Sequence, residues 1–158
     1  MGARTEHRSD DKTVATNRKA RHDFAVLETL ECGIQLTGSE VKSLRLGQAS
    51  LVDCYARVHE GQLWLEGMHI PPYEQGDTRT HQPMRPRKLL VHRRQLEELA
   101  RDTSEKGFAL VPLRVYFTHG IAKVEIAVAR GKRQHEKRQA IAKRDAQREV
   151  EREMGRRR

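Results

Sequence analysis

The sequence predicts a mainly β fold: an OB-fold-like antiparallel barrel of about six strands, with small helices and a C-terminal tail that is disordered or helical. Three observations carry that prediction. From Phe24 to Ala129 the apolar residues recur in short runs at every second position, the period of a half-buried strand. Turns bearing glycine or proline separate the runs. At Gly131 the alternation stops, and nothing beyond it reads as core. On pattern alone, a sandwich and an open α+β sheet stand nearly level with the barrel.

Length and charge set the organisation. A chain of 158 residues suits one domain with appendages. Residues 130–158 carry 12 Lys and Arg against 5 Asp and Glu, so +7 of the chain's +9 lies there and only +2 in the remainder. The expected divisions are a disordered N-terminus over residues 1–16, an OB-like barrel over 17–130 and a basic tail over 131–158. A strongly cationic segment seeks phosphate. No apolar run approaches the ~20 residues that span a bilayer, and the start lacks the apolar stretch of a secretory leader. The expectation is a cytoplasmic protein with no membrane partner. Cys32 and Cys54 stand far apart with no CxxC and read as small buried hydrophobes.

The elements follow in order. The basic run at residues 17–22 leads into the first strand; it is either a solvated entry segment or a phosphate contact, with Arg21 and His22 as the candidates. In the first strand Phe24, Val26, Leu30, Cys32, Ile34 and Leu36 share a face, with Glu28 the exception. Gly33 supplies the bend that a long strand needs to wrap a small barrel. Glu31, beside that bend on the outer face, is either solvated or an acceptor for base and sugar donors. Thr37-Gly38-Ser39-Glu40 has the capping-box spacing, so a short helix follows through Val41, Leu44 and Leu46 and stops at Gly47. Its polar side carries Lys42 and Arg45.

Next, Cys54, Ala56 and Val58 alternate against Tyr55 and Arg57, and His59-Glu60-Gly61-Gln62 turns the chain into a hairpin that returns over residues 63–70. Trp64 is expected in or against the core. Residues 71–87 hold four of the five prolines and form a long loop, either binding or mobile, with a basic end at Arg85, Arg87 and Lys88. A short strand over residues 89–92 precedes a helix with Leu96, Leu99 and Ala100 on one side, closed by Gly107. In the strand over residues 108–118, Ala109, Val111, Leu113, Val115 and Phe117 form the inward set and Leu110, Arg114, Tyr116 and Thr118 the outward one; Pro112 makes the strand edge-like or irregular. After the His119-Gly120 turn, Ala122, Val124, Ile126 and Val128 face in. Lys123 and Glu125 then share the outer face with Arg114 and Tyr116. A cation beside an aromatic on one sheet face can stack a base and hold its phosphate.

The tail has a four-residue period. Ala142, Ala146, Val150 and Met154 form one stripe, and Arg144, Arg148, Arg152 and Arg156 lie on roughly the opposite side. Half the apolar stripe is alanine, and each Arg–Arg pair at i, i+4 costs a few tenths of a kcal/mol, about what opposite pairs such as Asp145–Arg148 return. The expectation is a segment largely disordered alone that becomes helical against a polyanion.

No Walker loop, nucleophile elbow, HExxH or metal-spaced Cys/His cluster occurs, so neither an enzyme nor a metal or other cofactor is expected. Basicity, together with Tyr55, Arg57, Arg114, Tyr116 and Lys123 on outer faces, favours nucleic acid, and a barrel with a shallow basic face suits RNA. The alternative is a general RNA-binding or ribosome-associated OB-fold protein. A nuclease would need metal-dependent cleavage that nothing here foreshadows.

Five blocks carry a resemblance: residues 17–22 (Asn-Arg-Lys-Ala-Arg-His), residues 37–45 from Thr37-Gly38-Ser39-Glu40 onward, Pro72-Tyr73-Glu74-Gln75-Gly76, Arg87-Lys88-Leu89-Leu90, and Gly131-Lys132-Arg133-Gln134-His135-Glu136-Lys137-Arg138. In this order they resemble the SsrA-binding protein family, also called small protein B, from about residue 14 to residue 154. The resemblance implies an OB-fold partner of transfer-messenger RNA (tmRNA, SsrA RNA) in bacterial trans-translation, the rescue of stalled ribosomes. One barrel face would grip the tRNA-like domain of that RNA. Glu31, Leu90 and His92 match the family's RNA-contact set, although the family often has Asn where His92 stands; Arg21, His22, Lys42, Tyr55 and Lys123 belong to the same implied surface. Arg45, Arg57, Arg114, Lys132 and Arg133 complete the RNA-binding candidates. The implied partners are the stalled 70S ribosome with its small-subunit ribosomal RNA, and alanyl-tmRNA with elongation factor Tu at the A site. In the tail, His135, Glu136, Lys137 and Arg138 resemble the decoding-centre motif, and Ile141, Val150 and Met154 lie on the segment implied to follow the vacant mRNA channel.

Overall fold

The structure, a computed structural model, describes residues 12–73 and 81–156, without the side chains of residues 134–136 and 140. Seven strands and four helices occur among them, in the order β1 (Lys12–Thr16), α1 (Ala20–Asp23), β2 (Phe24–Ile34), α2 (Gly38–Arg45), β3 (Tyr55–His59), β4 (Gln62–Glu66), β5 (Arg87–Leu90), α3 (Arg93–Glu105), β6 (Ala109–Thr118), β7 (Ile121–Gly131) and α4 (Gln134–Arg156). Among the described residues all strand pairings are antiparallel. The order β6-β3-β4-β5-β2-β7 closes through a β6–β7 pairing, so the six strands β2 to β7 form a ring. This is the mainly β, OB-like barrel that the alternation predicts.

Strand β1 lies where the sequence reading expects disorder over residues 1–16. The reason is an edge. β3 meets β6 at a single register pair, Ala56 with Leu110, and then diverges; β1 takes the remainder of that edge, pairing Lys12 with Phe117 and Thr16 with Arg114. An unpaired strand edge exposes backbone donors and acceptors, and β1 satisfies them. Its partner is about a hundred residues away, so no local pattern announces it. Residues 1–11 lie outside the described residues.

Two bulges explain where the alternation slips. The β2–β7 register shifts between Val26 and Glu28, which is why Glu28 breaks the apolar face. The β6–β7 register shifts between Pro112 and Arg114. Leu110 therefore shares the main core with Val115 and Phe117 despite opposite parity, while Val111 and Leu113 pack with Ala20, Ala127 and Phe24 in a second, smaller cluster. The expected inward set of β6 is thus divided between two cores. A closed barrel with cores inside and under α1 buries both faces of this strand.

The turns behave as their residues require. Glu60-Gly61 and His119-Gly120 both hold positive φ at both central positions, the conformation that suits tight hairpins. Leu63 and Leu65 point into the main core, and Trp64 between them is half-buried on the other face, opposite Arg57 and Lys88. Cys32 and Cys54 are buried, and burial pushes both thiols up to about 12. α3 covers an end of the barrel through Leu96 and Leu99.

The basic end of the 71–87 loop is structural at its centre. Arg87 and Glu40 are both fully buried, and Arg87 Nε donates to Glu40 Oε2 while Nη1 and Nη2 donate to the carbonyls of Met68 (2.6 Å) and Pro83 (3.0 Å). Arg85 Nη2 and the Thr37 backbone N–H (2.9 Å) donate to Glu40 Oε1. The capping-box glutamate thus also neutralises a buried guanidinium, and each of its three nitrogens has an acceptor. Burial by itself would raise the Glu40 carboxyl; the hydrogen bonds from Arg85, Thr37 and Arg87 outweigh it and push the pKa down to about 2. Ser43 Oγ to the Pro71 carbonyl (2.8 Å), and His81 between Ser39 Oγ and the Ile70 carbonyl (2.8 Å each), pin both flanks of the loop to α2 and β4's exit. Residues 74–80 lie outside the described residues.

The tail is a helix in the chain by itself, where the sequence predicts helix only against a polyanion. Its i, i+3 pairs of opposite charge favour this, and its root is held to the barrel at Asp23.

Candidate nucleic-acid interface

The outer face of the sheet formed by β5, β2, β7 and β6 assembles from register alone. One row runs Leu90, Gly33, Lys123, Tyr116 across four adjacent strands; a second, two residues along, runs Glu31, Glu125, Arg114. Side chains on one face of a sheet lie at every second residue, so these positions share a surface. Leu90 is 51% exposed, an apolar side chain standing over Gly33. A methyl group on Gly33 would meet Leu90 Cβ at 3.2 Å, so glycine there makes room for that side chain. Glu31 is exposed, and Lys123 is half-exposed beside it.

Electrostatics on this face centre on two carboxylates. Glu31 and Glu125 are directly opposite on β2 and β7, an arrangement that repels unless each carboxylate has its own partner. Tyr116 Oη donates to Glu31 Oε2, and Arg114 Nε donates to Glu125 Oε2 at 3.4 Å. The Arg114 guanidinium lies 3.9 Å from the Tyr116 ring centre. Tyr116 is 1% exposed. Sequence reasoning treats it as an outward ring for base stacking, and the structure corrects this: the ring is covered and its hydroxyl serves Glu31. Burial and the bond to Glu31 raise its pKa well above the ordinary value.

The other candidates stand elsewhere. Tyr55 and Arg57 are exposed on β3, and both engage one carboxylate, Tyr55 Oη to Glu66 Oε2 and Arg57 Nε to Glu66 Oε1, each at 2.8 Å. The Tyr55 bond, then Arg57, holds the Glu66 carboxyl below its ordinary range, while the same bond and the charge of Glu66 raise the Tyr55 hydroxyl. Lys42 and Arg45 are exposed on α2, with Lys42 Nζ 5.5 Å from the Tyr73 ring centre. His92 is exposed at the N-cap of α3, its backbone N–H donating to Gln95 Oε1 at 3.1 Å.

Arg21 and His22 meet the root of the tail through Asp23, a residue the sequence reading did not single out. His22 Nδ1 donates to Asp23 Oδ1 at 2.9 Å, Lys137 Nζ lies 3.7 Å from the same oxygen, and the Lys132 backbone N–H donates to the Asp23 carbonyl at 2.9 Å. Lys132 Nζ also donates to the Arg21 carbonyl at 2.8 Å. The His22 bond, aided by Lys137 and Lys19, keeps the Asp23 carboxyl below its ordinary value. Between α4 and the barrel, Arg18, Arg21, His22, Arg114, Lys143 and Arg144 line a cleft of about 660 Å³ that also holds Glu125. Such a concentration of cations suits phosphodiester oxygens. Arg133, Arg138, Ile141, Val150 and Met154 are exposed; the side chains of His135 and Glu136 lie outside the described residues.

Among the described residues there is no group of three or more side chains able to hold a metal ion, and no helix long and apolar enough to cross a membrane. The family model described as SmpB protein matches residues 14–156. The chain belongs to the SmpB family. An SsrA-binding protein from Desulforudis audaxviator is 57% identical over 92% of this chain and 95% of its own length, and one from Salinispora arenicola is 58% identical over 92% of each. A solved chain from the structure described as "tmRNA-SmpB: a journey to the center of the bacterial ribosome" is 45% identical, with a TM-score of 0.63, over 80% of this chain and 92% of that one. The five blocks read in the sequence all lie within the matched span.

Proposed function

We propose that this chain is an RNA-binding protein of trans-translation that binds the tRNA-like domain of tmRNA and works on stalled bacterial ribosomes in the cytoplasm. The observation that carries the reading is the match, over 80% of the chain, to a chain solved in a tmRNA–SmpB structure. The geometry fits it: an acceptor, an apolar platform and a cation stand side by side as Glu31, Leu90 and Lys123 on one sheet face. RNA loops offer unpaired bases with donor edges, stacking surfaces and phosphates to meet these three groups.

The tail performs a separate task. Its cationic helix projects from the Asp23 anchor and engages ribosomal RNA at the decoding centre through residues 135–138, then lies along an mRNA channel that must be vacant to admit it. The charged tmRNA arrives at the A site together with elongation factor Tu, and the protein contributes binding rather than chemistry. The tail's charge also fits a second reading, a general RNA binder. The deciding experiment measures binding of the full chain to tmRNA against bulk tRNA and an unrelated hairpin across a salt series. Selective binding that persists at physiological salt is expected; equal affinity for all three RNAs, falling steeply with salt, would establish the general binder instead.

A further inference from the structure

We propose that Tyr116 is a positioning residue for RNA recognition: it fixes the Glu31 carboxylate so that one oxygen is occupied and the other faces the RNA. The inference rests on the proposed role of the β2–β7 face and adds a residue that itself touches no RNA. Four observations carry it. The Tyr116 ring is almost fully buried while Glu31 is exposed, so the bond joins a fixed donor to a mobile acceptor. β7 lies between their strands, a span of about 10 Å between backbones that a side chain as long as tyrosine bridges. Glu125 stands directly opposite Glu31 and would push an untethered carboxylate aside. Arg114 lies over the Tyr116 ring and holds Glu125 at 3.4 Å, which keeps both parts of the arrangement in place.

The chemistry follows from counting acceptors. The Tyr116 hydroxyl has a single proton, and it is given to Oε2. Oε1 is left to accept from a base N–H or a ribose 2′-hydroxyl. A side chain held in one orientation loses less freedom on binding than a free glutamate would. Phenylalanine at position 116 keeps the ring, the packing and the Arg114 contact and removes only the donor.

The test compares Tyr116→Phe, Glu31→Gln and the double variant in the full chain. Tyr116→Phe should weaken tmRNA binding about tenfold, the scale of one hydrogen bond to a charged group. The double variant should bind no worse than Glu31→Gln alone, since the two residues act through one atom. Additive losses, or wild-type affinity in Tyr116→Phe, would overturn the proposal. NMR relaxation of the Glu31 side chain in the free protein supplies a readout independent of RNA. Tyr116→Phe should raise its mobility, and an unchanged side chain would defeat the proposal even in a protein that binds no tmRNA. Failure of the wild-type chain to prefer tmRNA would instead defeat the functional reading.

Discussion

The barrel and the tail helix are built on opposite terms. In the barrel, Leu63, Leu65, Leu89, Val115 and Ile126 are almost wholly buried, and even its most awkward charges, Glu40 and Arg87, are enclosed and bonded to each other. Each buried aliphatic side chain of this kind stabilises the fold by about 1.5–3 kcal/mol. In α4, Val150 is 57% and Met154 68% exposed, and the barrel holds the described tail chiefly at its root through Asp23. One region spends its apolar residues on shape; the other keeps its charge and little else. A preformed surface suits a folded RNA, whereas a lightly held cationic helix suits a partner that itself supplies the binding walls.

The largest effect expected from this contrast comes from deleting residues 131–158. Tagging on stalled ribosomes, measured in a reconstituted translation system, should be abolished. Affinity for tmRNA in solution should change by no more than about threefold, because only peripheral phosphate contacts are lost. An equal loss in both assays would join the two surfaces that the proposed function separates.

A second experiment attacks the barrel. Glu40→Gln leaves the buried Arg87 without a counter-charge and should cost about 3–5 kcal/mol in urea unfolding. The same site sets an acid limit. Its folded pKa of about 2 lies below the ordinary 4.5, so its contribution is complete above 4.5 and is lost as the pH falls from there towards 2. Stability of the wild type should therefore decline over that window, and the Glu40→Gln variant should show a shallower decline. Matching slopes would remove Glu40 from the account.

The smallest effect concerns the tail alone. A peptide of residues 131–158 lacks the Asp23 anchor and the barrel, and circular dichroism should show weak helicity in buffer that rises when a polyanion is added. Full helicity without the polyanion would mean that the tail needs no wall, and the contrast would weaken.

Much of this was legible before any coordinates. Thr37 and Glu40 announced α2, Glu60-Gly61 and His119-Gly120 announced the hairpins, and the blocks from residue 17 to residue 138 announced the family. Glu31, Leu90 and Lys123 were named, and the register puts them side by side. Tyr116, Arg87 and Asp23 were misread or passed over because their roles depend on partners distant in sequence: Glu31 is 85 residues from Tyr116, and Glu40 is 47 from Arg87.

By itself the sequence determined the periods, the turns and caps, and the division of charge between body and tail, since these depend on neighbours within a few positions. Only the tertiary structure decided which face each residue joined. A bulge at Leu113 reversed the parity of β6, ring closure left an edge for β1, and enclosure turned an arginine that reads as surface into a core group. The physical reason is that alternation fixes only that successive side chains point oppositely. Which direction is inside depends on strands that meet from far along the chain.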